Sequence, residues 1–502
     1  MSMSTSWDVI IAGGGFAGST LAAALANGHR RVLLLEARSG PDPRFRGELI
    51  HPPGVLVLER LGLLGPLAKA GGFHVTGFAV IPAGDPDAVV LPYAEVKGGR
   101  PTGFAIDHRE MIAVLRGEAG KRPGVEVRTG QRVVEILREG NRVMGVRTAD
   151  GTEHRAALTL VAEGRHSKLR SAAGFREQSR LLSWTAALLV KDTALPEPGF
   201  GHVIVGAPGP ILAYPIGPME NSQVRMCIDI PSDLAKGRDA VVELLRSRYA
   251  PLVPEPLRTG MLASLAAEPP ELCANHAIYT SECVQPGLAL VGDAAGCSHP
   301  LAATGMTLVL SDVRILAEEL GEKATLDEAL DAYQRRRYRF ARGREVLSDA
   351  LFEVFRAADA GNNALREGMY RYWRGSRRAR AASVGVLSGH DERVVGFVAE
   401  YLRVFFGTAG HILLDRRGGT LRERLGCLDL AVRSSWARMD RAFKILYQNL
   451  RPRTGGQAES PRGGAPARGV APTVSKAHGE AGAERKTQRP EDENRAATPP
   501  AA

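Results

Sequence analysis

The feature that most constrains the fold is a glycine-rich turn close to the start of the chain. An apolar segment, Val9 to Ala12, runs directly into Gly13, Gly15 and Gly18. In this spacing the first glycine permits a tight turn, the second lets backbone approach a pyrophosphate, and the third lets a helix pack on the strand. We expect that helix over Ser19 to Ala26, with its free N–H groups aimed at phosphates.

An acidic residue follows at the position that such a site needs. The segment Arg31 to Glu36 predicts a second strand that ends in a carboxylate. Glu36 lies roughly 20 residues beyond the turn, where an acid accepts hydrogen bonds from a ribose diol. Strand, turn, helix and acid together predict a dinucleotide site rather than a plain βαβ unit.

A second glycine motif returns late in the chain. Leu290 and Val291 lead into Gly292 and Asp293, and we expect Asp293 to accept a hydrogen bond from a ribityl hydroxyl. Further on, the Gly305-Met306 region predicts a helix whose N-terminus faces a flavin pyrimidine edge, because a helix dipole favours the negative charge of reduced flavin. Two motifs on separate strands indicate FAD rather than NAD.

Strands and helices alternate up to about residue 180, a strand-rich stretch follows to about 285, and the second glycine motif comes after it. This order predicts an α/β fold with an inserted antiparallel sheet, similar to that of aromatic hydroxylases. The tail is rich in Pro, Gly, Ala, Arg and Glu and has no periodic apolar positions, which predicts disorder. The expected organisation is a Rossmann-type FAD-binding domain over 1–180, a β-sheet substrate domain over 181–285, a return to the FAD-binding domain over 286–325, helices over 326–450 with membrane-interface helices among them, and a disordered tail over 451–502.

Two further segments are candidates for cofactor contact. Arg44 to Gly54 joins charged residues to a helix start, and the alternative is a solvated loop. Leu160 to Arg170 reads as a strand, an acid-glycine turn at Glu163 and a basic helix start, and the alternative is an ordinary strand–turn–helix. Cys297 and His299 have no partners at metal-ligand spacing, so we expect His299 to serve shape and hydrogen bonding.

Composition narrows the partners. The net charge of +10 and the pI of about 9.5 come without a nucleic-acid-binding motif, so we expect no nucleic acid partner. The five cysteines are scattered and none has CxxC spacing, which predicts neither a metal site nor a disulfide framework. Reduced thiols and a cytoplasmic location follow.

Several segments of the chain resemble a known family. The segments Arg44 to Gly54 (RFRGELIHPPG) and Gly292 to Asp312 (GDAAGCSHPLAATGMTLVLSD) are similar to squalene monooxygenases, also called squalene epoxidases. The likeness continues in Gly209 to Gly217 and in Val346 to Gly375. It covers roughly residues 7 to 410.

The resemblance implies a set of cofactor contacts and one residue beside the flavin. The implied FAD contacts are Phe16, Ala17, Glu36, Ala37, Arg44, Arg109, Val133, Asp293 and Met306. Tyr214 would lie in the substrate sheet near the flavin, where its hydroxyl would orient the site by hydrogen bonding. The alternative for Tyr214 is a packed core tyrosine.

The activity that the resemblance implies is oxygen transfer. One oxygen atom of a flavin C4a-hydroperoxide would pass to an alkene of a hydrophobic isoprenoid lipid, with squalene as the first candidate. The oxidant is O₂, and electrons would come from NAD(P)H, directly or through a partner reductase. Phe78 and Ala302 to Thr304 depart from the family pattern, which keeps a prenylated quinone or quinoline open as substrate. Two further functions stay open, those of a geranylgeranyl-lipid reductase and of a flavin-binding membrane adaptor.

The last predicted helices suit a membrane interface. Val394 to Leu414 is apolar but interrupted by Glu400 and Arg403, so we do not predict a spanning helix. An apolar stripe at helical spacing follows, beside Arg433, Arg438, Arg441 and Lys444, and it consists of Leu428, Val432, Trp436, Met439, Phe443, Leu446 and Leu450. Such a stripe predicts peripheral attachment at the cytoplasmic face of a membrane, and the alternative is packing on the catalytic body.

Overall fold

A computed structural model describes most of the chain up to residue 450. The described residues are 6–26, 29–40, 42, 44–83, 87–217, 223–234, 237–356, 359–414 and 420–450, without the side chains of 437, 438, 441, 442 and 445–450. The predicted tail, 451–502, therefore lies outside the described residues.

The first sheet carries the glycine-rich turn. Trp7–Ala12 lies at its centre, parallel to Val32–Glu36 on one side and to Glu153–Val161 on the other. Among the described residues eight strands form this sheet. Six follow the order Val284–Gln285, Leu288–Leu290, Glu153–Val161, Trp7–Ala12, Val32–Glu36 and Val125–Thr129. Arg142–Thr148 pairs antiparallel with Glu153–Val161, and Val133–Glu139 pairs antiparallel with Arg142–Thr148. The two central parallel strands, Trp7–Ala12 and Val32–Glu36, are buried along most of their length, as their apolar sequences require.

The second sheet is mostly antiparallel. In the described part of the chain its order is Gly296–Cys297, Glu271–Thr280, Glu177–Val190, Val224–Pro231, Ile211–Pro215, Gly201–Val205, Gly77–Pro82 and Val89–Pro92. The last two strands come from outside the predicted range 181–285. They join the sheet because Gly77–Pro82 pairs in parallel with Gly201–Val205. Sequence periodicity can mark a segment as a strand, but it does not show which distant strand that segment pairs with.

Helices cover both sheets and build the C-terminal region. They are Phe16–Leu25, Pro52–Arg60, Leu64–Lys69, His108–Gly120, Lys168–Ala172, Arg238–Leu244, Leu257–Ala267, Gly305–Glu322, Leu326–Arg356, Ala360–Gly375, Arg377–Ser388, Val394–Leu414 and Leu421–Leu450. Short helical turns lie at Tyr93–Glu95, Leu245–Tyr249, Ala250–Leu252, Gly292–Ala295 and Pro300–Ala302, and a small sheet pairs Leu49–Ile50 and Phe73–Val75 with Gly103–Ala105.

The first helix begins earlier than the sequence predicts. It starts at Phe16 rather than Ser19, because the Ser19 N–H already donates to the Gly15 carbonyl at 2.9 Å. The chain thus passes from the turn into the helix without an intervening loop. This directness places the free N–H groups of the first helical turn beside the glycines.

The C-terminal helices pack together and leave apolar side chains exposed. Within the described residues one helix, Val394–Leu414, is long and apolar enough to cross a membrane by length and composition alone. The predicted stripe on Leu421–Leu450 differs in part: Val432, Trp436 and Phe443 are exposed, whereas Met439 is buried against the neighbouring helices. The side chains of Leu446, Leu450, Arg438 and Arg441 lie outside the described residues.

Candidate active site

A cavity of about 1080 Å³ opens between the first and second sheets. Ordinary small-molecule sites occupy about 300–1,000 Å³, so this cavity lies at the upper end of that range and suits a large ligand. Thirteen of the predicted site residues line it: Gly13, Gly15, Phe16, Ala17, Glu36, Ala37, Arg44, Arg109, Val133, Tyr214, Asp293, Gly305 and Met306. The remaining one, Gly18, lies beneath the turn.

The three glycines of the first motif have different surroundings. Gly13 has a φ of +108°, and a Cβ there would lie 2.6 Å from the Ala162 carbonyl oxygen. A Cβ on Gly18 would lie 1.8 Å from the Gly13 carbonyl oxygen, so only glycine lets the helix approach the turn. A Cβ on Gly15 would meet no atom within 4 Å. Gly15 therefore faces open space, where a ligand can contact the backbone.

The acid at the end of the second strand holds the turn in shape. Glu36 Oε2 accepts a hydrogen bond from the Gly14 N–H at 2.7 Å, and its Oε1 accepts one from the Arg38 N–H at 2.9 Å. The Arg116 guanidinium donates to the Gly14 carbonyl at 2.9 and 3.2 Å. Arg116 also lines the cavity, and the sequence motifs give no sign of its role.

The second motif meets the first in space. Gly292 has a φ of +63°, and a Cβ there would lie 3.2 Å from the Ala17 Cβ. The Gly292 N–H donates to Asp312 Oδ2 at 2.9 Å, and Asp312 is paired with Arg337 at 3.1 Å. Burial raises the pKa of Asp312 even though Arg337 and the Gly292 N–H oppose the rise. A buried ion pair from the helical region thus fixes the Gly-Asp turn.

The loop residues predicted to touch the cofactor lie around the mouth of the cavity. Arg44 pairs with Asp42 at 2.8 Å, and the Phe45 N–H donates to Glu271 Oε2 at 2.8 Å. Burial opposes ionisation of Asp42, but hydrogen bonds and charge from Arg44 lower its pKa well below the usual range. Glu163 accepts from Ser167 Oγ at 2.8 Å, which caps the following helix. The segment forms a strand, a turn and a helix, as both interpretations of the sequence require, and Glu163 lies on the cavity wall.

Tyr214 belongs to a buried polar cluster. Its hydroxyl donates to Glu48 Oε2 at 3.1 Å, and Arg225 donates to both Glu48 oxygens at 2.8 and 2.9 Å. Arg225 also lies 3.5 Å from Asp107, which caps the helix His108–Gly120. Burial raises the pKa of Glu48 even though Arg225 opposes the rise, and burial also raises the pKa of Tyr214. The cluster joins the second sheet to the first domain.

His299 anchors a second polar cluster. Its Nε2 lies 2.9 Å from Ser183 Oγ and 3.1 Å from Asp229 Oδ1, while its Nδ1 accepts from the Leu301 N–H at 3.1 Å. Asn275 Nδ2 donates to Ser183 Oγ at 2.9 Å. His299 thus serves hydrogen bonding, as the sequence predicts. Within the described ranges, no group of three or more His, Cys, Asp or Glu side chains is arranged to hold a metal ion.

The sequence motifs did not mark Glu48, Arg225 and Asp229 as site residues. The last two interrupt an otherwise apolar strand, Val224–Pro231, and both are buried. Charged residues inside a buried strand are rare unless they are paired. That pattern is the signal that would have found them.

The arrangement fits FAD. Gly15 leaves the backbone bare for a pyrophosphate, Glu36 lies at the strand end, and Asp293 and Gly305 line the same cavity. The two glycine turns touch through Ala17 and Gly292, so one extended ligand can contact both. A Rossmann-type domain joined to a second sheet over such a cavity is the architecture that FAD-dependent monooxygenases share.

Comparison with known proteins agrees with this class and narrows it. The family model described as "Squalene epoxidase" matches residues 155–423, and that of an NAD(P)-binding Rossmann-like domain matches residues 11–54. "Squalene epoxidase 2, mitochondrial" of Arabidopsis thaliana is 30% identical, over 79% of this chain and 69% of that protein. "Squalene monooxygenase" of Mus musculus is 30% identical, over 77% of this chain and 69% of that protein. The chain belongs to the squalene epoxidase family and is an FAD-dependent monooxygenase.

Solved structures share the fold. A probable FAD-dependent monooxygenase from Pseudomonas aeruginosa aligns with a TM-score of 0.58 at 22% identity, covering 76% of this chain and 99% of that one. p-Nitrophenol 4-monooxygenase from Pseudomonas putida aligns with a TM-score of 0.64 at 20% identity, covering 79% and 98%. At these identities the likeness concerns the fold alone.

Proposed function

We propose that the protein transfers one oxygen atom of O₂ to an alkene of an isoprenoid lipid, with squalene as the first candidate. The observation that carries the proposal is the cavity itself. The two glycine turns line the cavity, and so do apolar residues of the small sheet, the second sheet, the turn Pro300–Ala302 and the helix Leu326–Arg356, namely Leu49, Leu212, Leu301 and Phe340. A nucleotide cofactor and a greasy substrate can therefore share it.

The predicted cofactor residues keep their assigned roles in this proposal. The first turn and Glu36 bind the pyrophosphate and the ribose, Asp293 binds the ribityl chain, and the helix that begins at Gly305 faces the flavin ring. FAD, when bound and reduced, supplies the activation of O₂ that amino-acid side chains lack. The proposed division of the chain follows: 1–180 and 286–325 hold the cofactor, and 181–285 shapes the substrate site.

Tyr214 orients the site through Glu48 in this proposal. Its hydroxyl already donates to Glu48, and Arg225 neutralises that carboxylate. The three side chains fill the space between the sheets with groups that satisfy one another, which leaves no buried acceptor in this cluster to retain water. Excluding water matters because it prevents the activated oxygen from being lost as peroxide.

Product analysis tests the proposal. Purified holoenzyme is incubated with squalene, NADPH and a reductase, with and without O₂, and the products are identified by mass spectrometry. The expected result is an oxygenated squalene that forms only with O₂. Consumption of O₂ with hydrogen peroxide as the sole product would exclude squalene as the substrate.

A second candidate substrate is a prenylated aromatic, and the cavity wall favours testing it. Thr185, Asp229 and Asn275 line the cavity from the second sheet. Asp229 Oδ2 is buried without a hydrogen-bond partner among the described residues, which suits a substrate that carries a hydroxyl or ring N–H. A prenylated quinoline incubated beside squalene decides between them, because the true substrate gives the higher ratio of product to peroxide.

The electron donor is proposed to be NAD(P)H acting directly, with a partner reductase as the second possibility. Arg46 and Arg165 line the cavity with Arg44, and burial together with the two neighbouring cations lowers the pKa of Arg46. Such crowded positive charge attracts a phosphate-bearing donor. Anaerobic mixing with NADPH tests this: bleaching of the flavin without any added protein supports direct transfer, and bleaching only with a reductase supports the partner route.

Peripheral membrane attachment at the cytoplasmic face is the last part of the proposal. On the helix Leu421–Leu450 the side chains of Leu421, Leu425, Val432, Trp436 and Phe443 are exposed at spacings of one and two helical turns. Trp436 is 74% exposed. An exposed apolar stripe with nearby Arg433 and Lys444 suits the interface of an anionic bilayer.

Liposome flotation tests the attachment. Deleting the C-terminal helices would expose their buried faces, since Met439 packs inside the bundle, so point variants are the better tool. The variant Trp436→Ser/Phe443→Ser should stop floating with anionic vesicles. The matched control Val134→Ser/Leu181→Ser removes exposed apolar side chains elsewhere and should float like the wild type. Equal flotation of both variants would contradict the assignment.

A further inference from the structure

The segment His299 to Thr304, here called the strap, crosses the cavity wall under strain. It connects the strand Gly296–Cys297 to the helix Gly305–Glu322, and Pro300, Leu301 and Ala303 line the cavity. Ala303 has a φ of +51°, a left-handed conformation that is uncommon for a residue other than glycine. Such strain persists only where the surroundings over-determine the backbone.

The second sheet holds one end of the strap. His299 is bound by Ser183 and Asp229, and its ring stacks on Phe352 with centroids 4.2 Å apart. All polar contacts of the ring are buried. This end is therefore fixed by the substrate sheet and by the helix Leu326–Arg356.

His51 holds the other end from the first domain. Its Nε2 lies 2.8 Å from the Ala302 carbonyl oxygen, and because a carbonyl only accepts, Nε2 must carry the proton. Its Nδ1 is then an acceptor, and the Tyr93 hydroxyl donates to it at 2.6 Å. The His51 backbone N–H also donates to Thr307 Oγ1 at 3.0 Å, in the helix that follows the strap.

The surroundings keep His51 in this single state. Burial lowers its pKa to about 4, although the hydrogen bond to Ala302 opposes the change, so the ring is neutral near pH 7. Phe78 packs on the same ring with centroids 5.7 Å apart, and Tyr93 meets it edge-on at 5.9 Å. Phe78 has no hydroxyl, so of these two rings only Tyr93 can fix the tautomer.

We propose that His51 and Tyr93 are positioning residues for oxygen transfer: Tyr93 orients His51, His51 holds the Ala302 carbonyl, and the strap thereby sets the cavity wall against which the substrate lies. The inference rests on the proposed function. Neither side chain lines the cavity, so both act through the strap. Without the Tyr93 hydroxyl the imidazole can turn, Ala302 loses its fixed donor, and Leu301 and Ala303 shift on the cavity side.

The test uses the full-length holoenzyme and three variants. Tyr93→Phe removes the orienting hydroxyl, and His51→Gln supplies an amide that can both donate to Ala302 and accept from Tyr93. Tyr372→Phe is the matched control, because it removes a tyrosine hydrogen bond to Glu400 (3.0 Å) outside the cavity. Hydrogen exchange of the backbone amides of 301–307 and the ratio of product to NADPH consumed are measured for each, with FAD content as a check.

The expected result separates positioning from general stability. In Tyr93→Phe, amide exchange in the strap should rise about tenfold and the ratio of product to NADPH consumed should fall about tenfold, with FAD content unchanged. The kcat for product formation should change more than KM, because a small misplacement of the substrate impairs the geometry of attack. His51→Gln and Tyr372→Phe should stay within about twofold of the wild type. Wild-type exchange and coupling in Tyr93→Phe, or an equal loss in Tyr372→Phe, would overturn the proposal.

The exchange measurement also keeps this inference separate from the choice of substrate. If the wild type does not oxygenate squalene, the proposed function fails, and coupling is then measured with the prenylated quinoline. The amides of the strap still answer the structural question. Lost protection in Tyr93→Phe supports the role of the two residues, and retained protection refutes it.

Discussion

Removal of the Arg225 guanidinium should destabilise the protein more than the loss of any exposed ion pair. Arg225 neutralises Glu48 through two hydrogen bonds, and only 10% and 1% of the two side chains are exposed. The variant Arg225→Met keeps most of the side-chain volume and removes the charge. Glu48 is then left with the Tyr214 hydroxyl as its remaining donor in the cluster.

The size of the effect follows from burial. Breaking a buried pair by removing one partner costs about 3–5 kcal/mol, because the remaining charge is desolvated without compensation. With a urea slope of about 3 kcal/mol per molar, the unfolding midpoint should fall by roughly 1–1.7 M. Adding Glu48→Gln should recover about half of the loss, because the amide is neutral and its oxygen still accepts from Tyr214.

The pH dependence has a definite sign. The folded-state pKa of Glu48 is raised above its unfolded value, so the unfolded state binds fewer protons and stability falls as pH rises through the folded pKa. Loss of Arg225 raises that pKa further. The loss of unfolding free energy in Arg225→Met should therefore be largest at a pH above the raised pKa of Glu48. It should become smaller as the pH falls toward the ordinary pKa of a glutamate.

Urea unfolding of the holoenzyme, followed by circular dichroism, measures these differences. The control is Arg147→Met, which removes an exposed guanidinium paired with Glu135 and Glu153. Its urea midpoint should equal that of the wild type within experimental error. If Arg225→Met unfolds with the wild-type midpoint, or if Glu48→Gln adds a further loss to it, the account of this cluster is wrong.

The other predictions concern the cofactor turns, the candidate tyrosine and acid stability. Gly15→Ala should fold normally but purify with little FAD, because a Cβ at Gly15 meets no protein atom and enters the space proposed for the pyrophosphate. Gly18→Ala should lower the melting temperature of the apo-protein, because a Cβ at Gly18 meets the Gly13 carbonyl. Full flavin content in Gly15→Ala would contradict the proposed pyrophosphate contact. Asp293→Ala should purify nearly colourless beside a yellow Asp150→Ala control, as judged by the ratio of flavin to protein absorbance. Tyr214→Phe should keep its FAD but give less product and more hydrogen peroxide, and unchanged coupling would remove its proposed role. His51 has a folded-state pKa of about 4, below its unfolded value, so the unfolded state gains the proton first on acidification and stability falls from about pH 6.5 downward. Between pH 7 and 5 the wild type should lose about 2 kcal/mol more than His51→Gln in urea unfolding, and equal losses would count against a neutral buried imidazole.

Local sequence signals led to the residues around the two glycine turns because the geometry there is local. The glycine spacing, the acid at Glu36 and the Gly-Asp turn each express a backbone requirement within a few residues, and twelve of the thirteen predicted cofactor positions line one cavity. The thirteenth, Gly18, lies against the Gly13 carbonyl, where the spacing rule expects helix packing. The family resemblance supplied the positions that no local rule marks, such as Arg109 and Val133.

The part of the cavity beside the second sheet depends on contacts that sequence patterns do not express. Glu48 lies in the loop before Leu49–Ile50 and Arg225 lies in the second sheet, so their pairing appears only when that loop is placed against the sheet. The strands Gly77–Pro82 and Val89–Pro92 complete the second sheet from a distant segment, so they were not expected there. Met439 illustrates the same limit, since helical spacing shows that residues share a face but not which protein surface covers it.

Oxygen-18 labelling tests the central claim most directly. Holoenzyme, squalene and NADPH, with a reductase present, are incubated under ¹⁸O₂ in ordinary water, and the lipid products are analysed by mass spectrometry. The account predicts a squalene epoxide that carries a single oxygen-18 atom. An epoxide labelled from water, or flavin that reoxidises with every electron pair recovered as hydrogen peroxide for both squalene and the prenylated quinoline, would contradict it.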